Sequence, residues 1–336
     1  MAFVSTPTRV SIVMLKVLFA LIPAIVVYQL YFGPAILISM VLACVTAIAA
    51  EATLLRLRGV PIKPFLLDGS AVVTAVLLAL SMPPLAPWWL IVLATLFAII
   101  VAKHLYGGLG NNLFNPAMVG YAVMLISFPA HMTQWPALTT LTQVHLGFAD
   151  TASFIFSGAL PDSLTLDALT MATPLDTLRT QLLLGRAVPD ISGMPVFGKG
   201  GALLALAYLA GGVYLLQQRV ITWHIPLAFI AALGLLALGF HTYDAARYAT
   251  PGFQLASASA MLGAFFIATD PVTGATTPKG KIIFGAGIGA LVFIIRTWGG
   301  YPDGVAFAVL ILNMCVPLID AYTQPRVFGH AANNKR

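Results

Sequence analysis

Charge is scarce in this sequence. Asp, Glu, Lys and Arg make up 8% of the 336 residues and apolar side chains 60%, with a mean hydropathy of +0.94. Soluble domains carry roughly 25% charged residues, so this chain has too few to cover a water-facing surface. That excludes a soluble globular protein, a disordered chain and a charged coiled coil together. Cysteine is nearly absent as well. Cys44 and Cys315 lie far apart inside apolar stretches, which rules out a disulfide scaffold and any CxxC ligand set for zinc or an iron–sulfur cluster. Two small packing residues remain as their reading. The six histidines form no HxxxH or HExxH pair, and only His104 lies near a span without sitting in an obvious end loop, so a membrane b-type haem lacks paired ligands. There is no Walker A sequence and no GxGxxG after a strand-like segment, hence no recognisable nucleotide or nicotinamide site.

Long uncharged runs are what the chain does have. Residues 17–50, 69–102, 104–149, 200–218, 220–243 and 248–269 contain no Asp, Glu, Lys or Arg. A helix needs about 20 residues to cross the hydrocarbon core. The first run therefore holds two spans, divided at Gly33-Pro34, and the second divides at Pro83-Pro84-Leu85-Ala86-Pro87. About ten membrane segments follow, near 14–32, 36–55, 69–82, 87–103, 116–129, 200–217, 224–240, 253–269, 281–297 and 303–320. The expected fold class is an all-α polytopic membrane protein with two inverted five-helix repeats and one long exterior loop. Its expected divisions are a membrane repeat over 1–129, the loop over 130–198, a second repeat over 199–322 and a tail over 323–336.

The 17 bases outnumber the 11 acids, a net charge of +6. In a membrane chain this excess marks cytoplasmic loops, and no nucleic-acid partner is expected. With the N-terminus inside, Arg9, Lys16, Arg56, Arg58, Lys63, Lys103, Arg219, Lys279, Lys281, Arg326, Lys335 and Arg336 are cytoplasmic, twelve of the seventeen. Both termini then lie in the cytoplasm, and the long loop lies on the periplasmic side of a bacterial inner membrane. Met1–Arg9 is short and polar, and no cleaved signal is expected.

The two halves resemble one another. Lys103-His104-Leu105-Tyr106-Gly107-Gly108 followed by Asn111-Asn112-Leu113-Phe114-Asn115-Pro116 parallels Arg296-Thr297-Trp298-Gly299-Gly300 followed by Tyr301-Pro302-Asp303-Gly304. Asp68-Gly69-Ser70-Ala71 has a small-residue counterpart in Ala256-Ser257-Ala258-Ser259. Inverted repeats with Gly- and Pro-interrupted helices point to a central site in transporters, although small residues and Gly/Pro turns are shared by polytopic helices in general. Glu51, Asp68, Lys103, Asp270, Arg296 and Asp303 are expected at helix ends, where capping and snorkelling compete with function. Asp68, Asp270 and Asp303 are candidates for ion coupling on that footing. Asn112, Asn115 and Asp303 open the fifth and tenth segments, where backbone N–H groups suit an anion or a polar ring edge.

The loop holds Asp167-Ala168-Leu169-Thr170-Met171-Ala172-Thr173-Pro174-Leu175-Asp176-Thr177-Leu178-Arg179. Thr173-Pro174-x-Asp176 reads as a helix start, with Thr at the N-cap, Pro at the first position and an acid at the third. The same geometry sets a phosphate on Thr173 against the helix N-terminus, with Asp176 opposing it electrostatically. A plain cap and a modified threonine both stand on these residues.

Ala172-Thr173-Pro174-Leu175-Asp176-Thr177, Ala268-Thr269-Asp270-Pro271-Val272-Thr273, Asn111–Met118, Gly299–Leu310 and Gln324–His330 together resemble the D-subunit family of Rnf-type electron-transport complexes. The likeness runs over nearly the whole chain. It is closer than to the paralogous B subunit of the sodium-pumping NADH:quinone reductase. The resemblance implies FMN joined through its phosphate to the Thr173 hydroxyl by a flavin transferase, within a motif that falls here on Asp167, Thr170, Ala172 and Thr173. Met171 departs from the glycine common in that motif. It also implies a non-covalent riboflavin in the helical core, for which Asn112, Asn115 and Asp303 are candidate neighbours. Further implications are electron relay between ferredoxin and NAD, coupled movement of Na+ or H+, no catalysis by this chain alone, and partners in the A, B, C, E and G subunits and in membrane lipid. Two other classes fit the residues alone. One is a solute channel or carrier of urea-channel-like architecture with no flavin, and the other is a passive scaffold in which Thr173 is only a cap.

Overall fold

The computed structural model describes residues 10–138, 146–161, 164–191, 199–301 and 303–324. The polar Met1–Arg9 stretch, Pro302 and the basic Arg326, Lys335 and Arg336 of the tail lie outside the described residues, as does most of the Gln324–His330 stretch.

Helices α1 (Val10–Phe32) and α2 (Ala35–Leu57) are joined where Gly33 adopts φ +86° ahead of Pro34, a left-handed conformation that favours glycine. A short α3 (Ile62–Leu66) leads to α4 (Ser70–Ser81), α5 (Trp88–His104) and α6 (Pro116–Ser127). The long segment after α6 forms small elements: α7 (Pro129–Met132), β1 (Trp135–Pro136), α8 (Phe148–Ser157), α9 (Leu166–Leu169), β2 (Thr170–Met171), α10 (Pro174–Leu183) and α11 (Val188–Ile191). The second half consists of α12 (Lys199–Gln217), α13 (His224–Tyr243), α14 (Pro251–Leu255), α15 (Ala258–Ile267), α16 (Pro278–Trp298) and α17 (Val305–Thr323).

Seven helical stretches are long and apolar enough to cross a membrane, and α5, α6 and α15 are shorter apolar helices. The protein is an all-α polytopic membrane protein, and each expected segment has its helix. Among the described residues the strand content is one antiparallel pair, Trp135 opposite Met171 and Pro136 opposite Thr170. Alternation of the spans puts the 130–198 loop, the α13–α14 turn and the α16–α17 turn on one face, here the loop face. Contacts agree: the Val188 N–H donates to Ala246 O at 2.8 Å, and Arg179 donates to Gly300 O.

Three departures from the sequence reading matter for the site. The eighth segment is two helices, broken where Ser257 resumes extended backbone before α15. The last turns of α5 (Phe97–His104) and α15 (Gly263–Ile267) are π-helical, a widening that apolar periodicity does not reveal. Glu51, expected at a helix end, lies inside α2, 2% exposed, and is ion-paired to Lys103 at 2.7 Å. A carboxylate inside a span needs such a partner because isolated charge in low dielectric is prohibitive.

α13 and α16 pack backbone to backbone. A Cβ on Gly285 or Gly289 would collide with the carbonyl oxygens of Ile225 and Phe229 respectively. Glycine at that four-residue spacing lets two backbones touch, which is how apolar helices associate without a hydrophobic driving force between them.

Candidate functional site

The segment before Thr173 is strung across the loop face by the β1–β2 pair and by Ala137 N–H donating to Leu169 O at 2.9 Å. At Thr173 the backbone is still extended (φ −63°, ψ 159°), and Pro174 then starts α10. The Thr173 hydroxyl oxygen accepts from Asp176 N–H at 3.2 Å, and Thr173 O accepts from Thr177 N–H at 2.8 Å. This is the N-cap read from the sequence. α10 is pinned from below by Leu178, buried against Ala249 with Leu182, Val188 and Phe253 around them. Arg179 ties it to the α16–α17 turn through Gly300 O.

Thr173 stands at the mouth of a cavity of about 490 Å³. Its roof is the loop: Trp135, Pro136, Met171, Ala172, Thr173, Asp176 and Arg179. One wall follows α6 along Met118, Tyr121 and Leu125, and Tyr28 of α1 stands beside it. The other is built by Phe253, Ser257, Ser259, Tyr301 and Asp303, with Ile267 reaching in from α15. The lining is mostly apolar and aromatic with a few convergent polar groups, the usual composition of an organic-ligand site, and the volume falls within the common range of about 300–1,000 Å³.

Arg296 organises the polar wall. It is 6% exposed; Nη1 donates to Gln254 O and Oε1 at 3.1 Å each, and Nη2 donates to Ser257 Oγ at 3.0 Å and Ser259 Oγ at 3.1 Å. Asp303 Oδ1 receives Nη2 at 3.3 Å and also accepts from Val305 N–H at 3.2 Å. Asp176 is the acid nearest the threonine along the chain. Burial pushes its carboxyl up from the usual range, and Arg179 partly offsets this.

Of the residues singled out from sequence, Ala172, Thr173 and Asp303 border this cavity. Asp167 is exposed on α9 and Thr170 is spent on Leu166 O at 3.0 Å, so neither is part of the wall. Asn112 and Asn115 lie toward the opposite face. Asn115 Oδ1 accepts from Met118 N–H at 3.2 Å and its Nδ2 donates to Ile267 O at 3.2 Å, while Asn112 Nδ2 donates to Phe114 O at 3.2 Å. Asp68 and Asp270 cap turns: Asp68 accepts from Ser70 N–H at 2.7 Å, and Asp270 from Val272 N–H at 3.2 Å and Thr273 Oγ1 at 3.0 Å. Sequence reasoning missed Gln254, which sits in a plain apolar helix, and Asn313, which accepts from Asn115 N–H at 3.3 Å and donates to Thr273 O at 2.9 Å. A lone amide inside the apolar run of α17 was the available signal for Asn313.

A many-span helical protein with one folded loop, whose N-capping threonine borders an apolar and aromatic cavity, defines a polytopic membrane protein with a candidate organic-ligand site. The chain belongs to the NQR2, RnfD, RnfE family, which it matches over residues 1–329. It is 52% identical over 340 residues to the D subunit of the ion-translocating oxidoreductase complex of Aeromonas hydrophila, covering 97% of each chain. The proteins of that name from Aliivibrio salmonicida (49%, 97% of this chain and 95% of the relative) and Escherichia fergusonii (50%, 96% and 95%) are similar to it.

Proposed function

We propose that this chain is the membrane subunit of an Rnf-type ion-translocating oxidoreductase complex and relays electrons through FMN esterified to Thr173. The observation that carries the reading is that Thr173 lines a cavity of about 490 Å³ that aromatic side chains also line. The residues present fit the group. Tyr121, Tyr301, Phe253 and Trp135 supply flat apolar surface for a tricyclic ring, and Ser257, Ser259 and Asp303 supply polar edges. Bound flavin exchanges electrons singly or in pairs, which suits a relay between ferredoxin and NAD. The protein's work is positioning. Thr173 tethers through its oxygen, to which the Asp176 N–H of the first turn of α10 already donates, and Arg179 offsets the charge of Asp176.

In this reading the loop is periplasmic, both termini are cytoplasmic in a bacterial inner membrane, and the ion moved by the complex is Na+ or H+. The A, B, C, E and G subunits are its partners, and a flavin transferase loads Thr173, recognising the segment around exposed Asp167 and half-buried Thr170. A non-covalent riboflavin beside it would meet Asp303 rather than Asn112 and Asn115, whose side-chain amides are already engaged with the protein. The test is a denaturing gel read under ultraviolet light, from cells that contain the transferase. A fluorescent wild-type band, lost in Thr173→Ala, is the expected result, and a dark wild-type band sinks the proposal.

A further inference from the structure

The bases that close α5 and α16 occupy matching places in the two halves but are treated differently. Arg296 is bound to backbone, amide, hydroxyl and carboxylate acceptors at once, and a guanidinium does not release its proton in proteins. On the opposite face, Lys103 Nζ donates to Glu51 Oε1 and to Ser70 Oγ, both at 2.7 Å, and His104 Nε2 lies 3.2 Å from the same carboxylate oxygen. Glu51 and Lys103 are each 2% exposed, Ser70 4% and His104 7%.

That contact selects a tautomer. A carboxylate oxygen only accepts, so Nε2 carries the hydrogen and Nδ1 keeps a bare lone pair. Nδ1 is buried with no partner among the described residues, and Glu51 Oε2 shares that condition. Buried polar atoms almost always find partners, and exceptions call for a cause. Lys103 and His104 also end a π-helical segment, a distortion common at functional sites. The charged groups of the cluster are Glu51 from α2 and Lys103 from the same segment as His104, and Ser70 of α4 meets Lys103. Asp68 is turned to cap Ser70 N–H. The following turn contributes backbone: Gly107 N–H donates to His104 O at 3.1 Å and Gly108 N–H to Lys103 O at 3.0 Å.

We propose that the Glu51–Lys103–His104 cluster is a proton-binding site that takes up one proton at His104 Nδ1. An N–H bond forms there and no protein bond breaks, the proton coming from water on the face opposite the loop and returning to it. Glu51 and Lys103 neutralise each other, so uptake leaves the cluster with one positive charge, held by the carboxylate that Nε2–H already faces. This assignment is independent of any flavin.

The test is nitrogen-15 NMR of the purified full chain in detergent, with labelled histidine rings and pH varied across the histidine range of about 5 to 8. The resonance missing in His104→Gln assigns the ring, and replacing the other five histidines assigns it by elimination if that variant does not accumulate. At the alkaline end His104 shows protonated Nε2 and bare Nδ1. Toward the acid end both nitrogens become protonated, and in Glu51→Gln a smaller fraction converts at each pH. One unchanged neutral form throughout, or a proton on Nδ1 with Nε2 bare, overturns the proposal. The wild-type titration decides the question even if Glu51→Gln does not fold.

Discussion

Thr173 and Asp176 face each other across one helical turn, and the acid makes the loop sensitive to pH. Burial raises the Asp176 carboxyl, against the partial opposition of Arg179. A group raised in the folded state binds its proton more tightly there than in the unfolded chain. Its favourable contribution is therefore complete below the unfolded value near ~3.9 and is lost as pH rises through the folded value. Protease cleavage of the loop should slow in the wild type, relative to Asp176→Asn, as pH is lowered from about 7 to about 4; parallel profiles would contradict this. Arg296 is the costlier residue to remove. Arg296→Ala strands Asp303, Gln254 and two serines, and about 3–5 kcal/mol should be lost, read as a lower melting temperature in detergent. Arg296→Lys, which keeps the charge without the fork, should fall between. The cap at Thr173 was legible because Thr, Pro and Asp act within four positions. The Arg179 contact to Gly300 spans 121 residues, and nothing local announces it.

At the scale of helices, α16 depends on bare backbone where it meets α13. Gly289→Ala should cost about 1–3 kcal/mol by overpacking against the Phe229 carbonyl. Gly287→Ala should cost less, since its new methyl meets only the Leu312 side chain, at 2.9 Å. Thermal unfolding of the two variants checks the order, and equal losses would argue against the backbone contact. Helix existence was readable from uncharged length, because lipid demands it of every span. The breaks within helices were less so. Pro and Gly marked Gly33-Pro34 and the 83–87 turn, but the Ala256-Ser257 break and both π turns lie in sequence that reads as continuous helix. Glu51 was misplaced for a related reason: a single acid near an arginine-rich end looks like a cap until Lys103, 52 residues on, is brought to it.

For the whole molecule, the proposed orientation rests on the basic residues. In a background with Cys44 and Cys315 replaced by Ser, a cysteine at exposed Asp167 should react with a membrane-impermeant maleimide in intact spheroplasts, and one at exposed Lys63 should not. The reverse pattern would invert the chain and move the proposed flavin to the cytoplasmic side. Composition made the membrane environment legible. The meeting of the loop, α6 and the second half around one cavity was not, because it joins residues from Tyr28 to Ala306.

The shortness of α6 has one more effect. α6 has 12 residues, about 18 Å of helix at 1.5 Å per residue, against a hydrocarbon layer of about 30 Å. The cavity follows α6 down to Met118, and immediately beyond it Asn115, Asn313 and the carbonyls of Ile267 and Thr273 close the interior. Water in the cavity would shorten the insulating path to that amide septum. A transmembrane voltage, worth about 2.3 kcal/mol per elementary charge at 100 mV, would then fall across the septum over a shorter distance than across the lipid. Anything charged that moved near it would work against a sharper field.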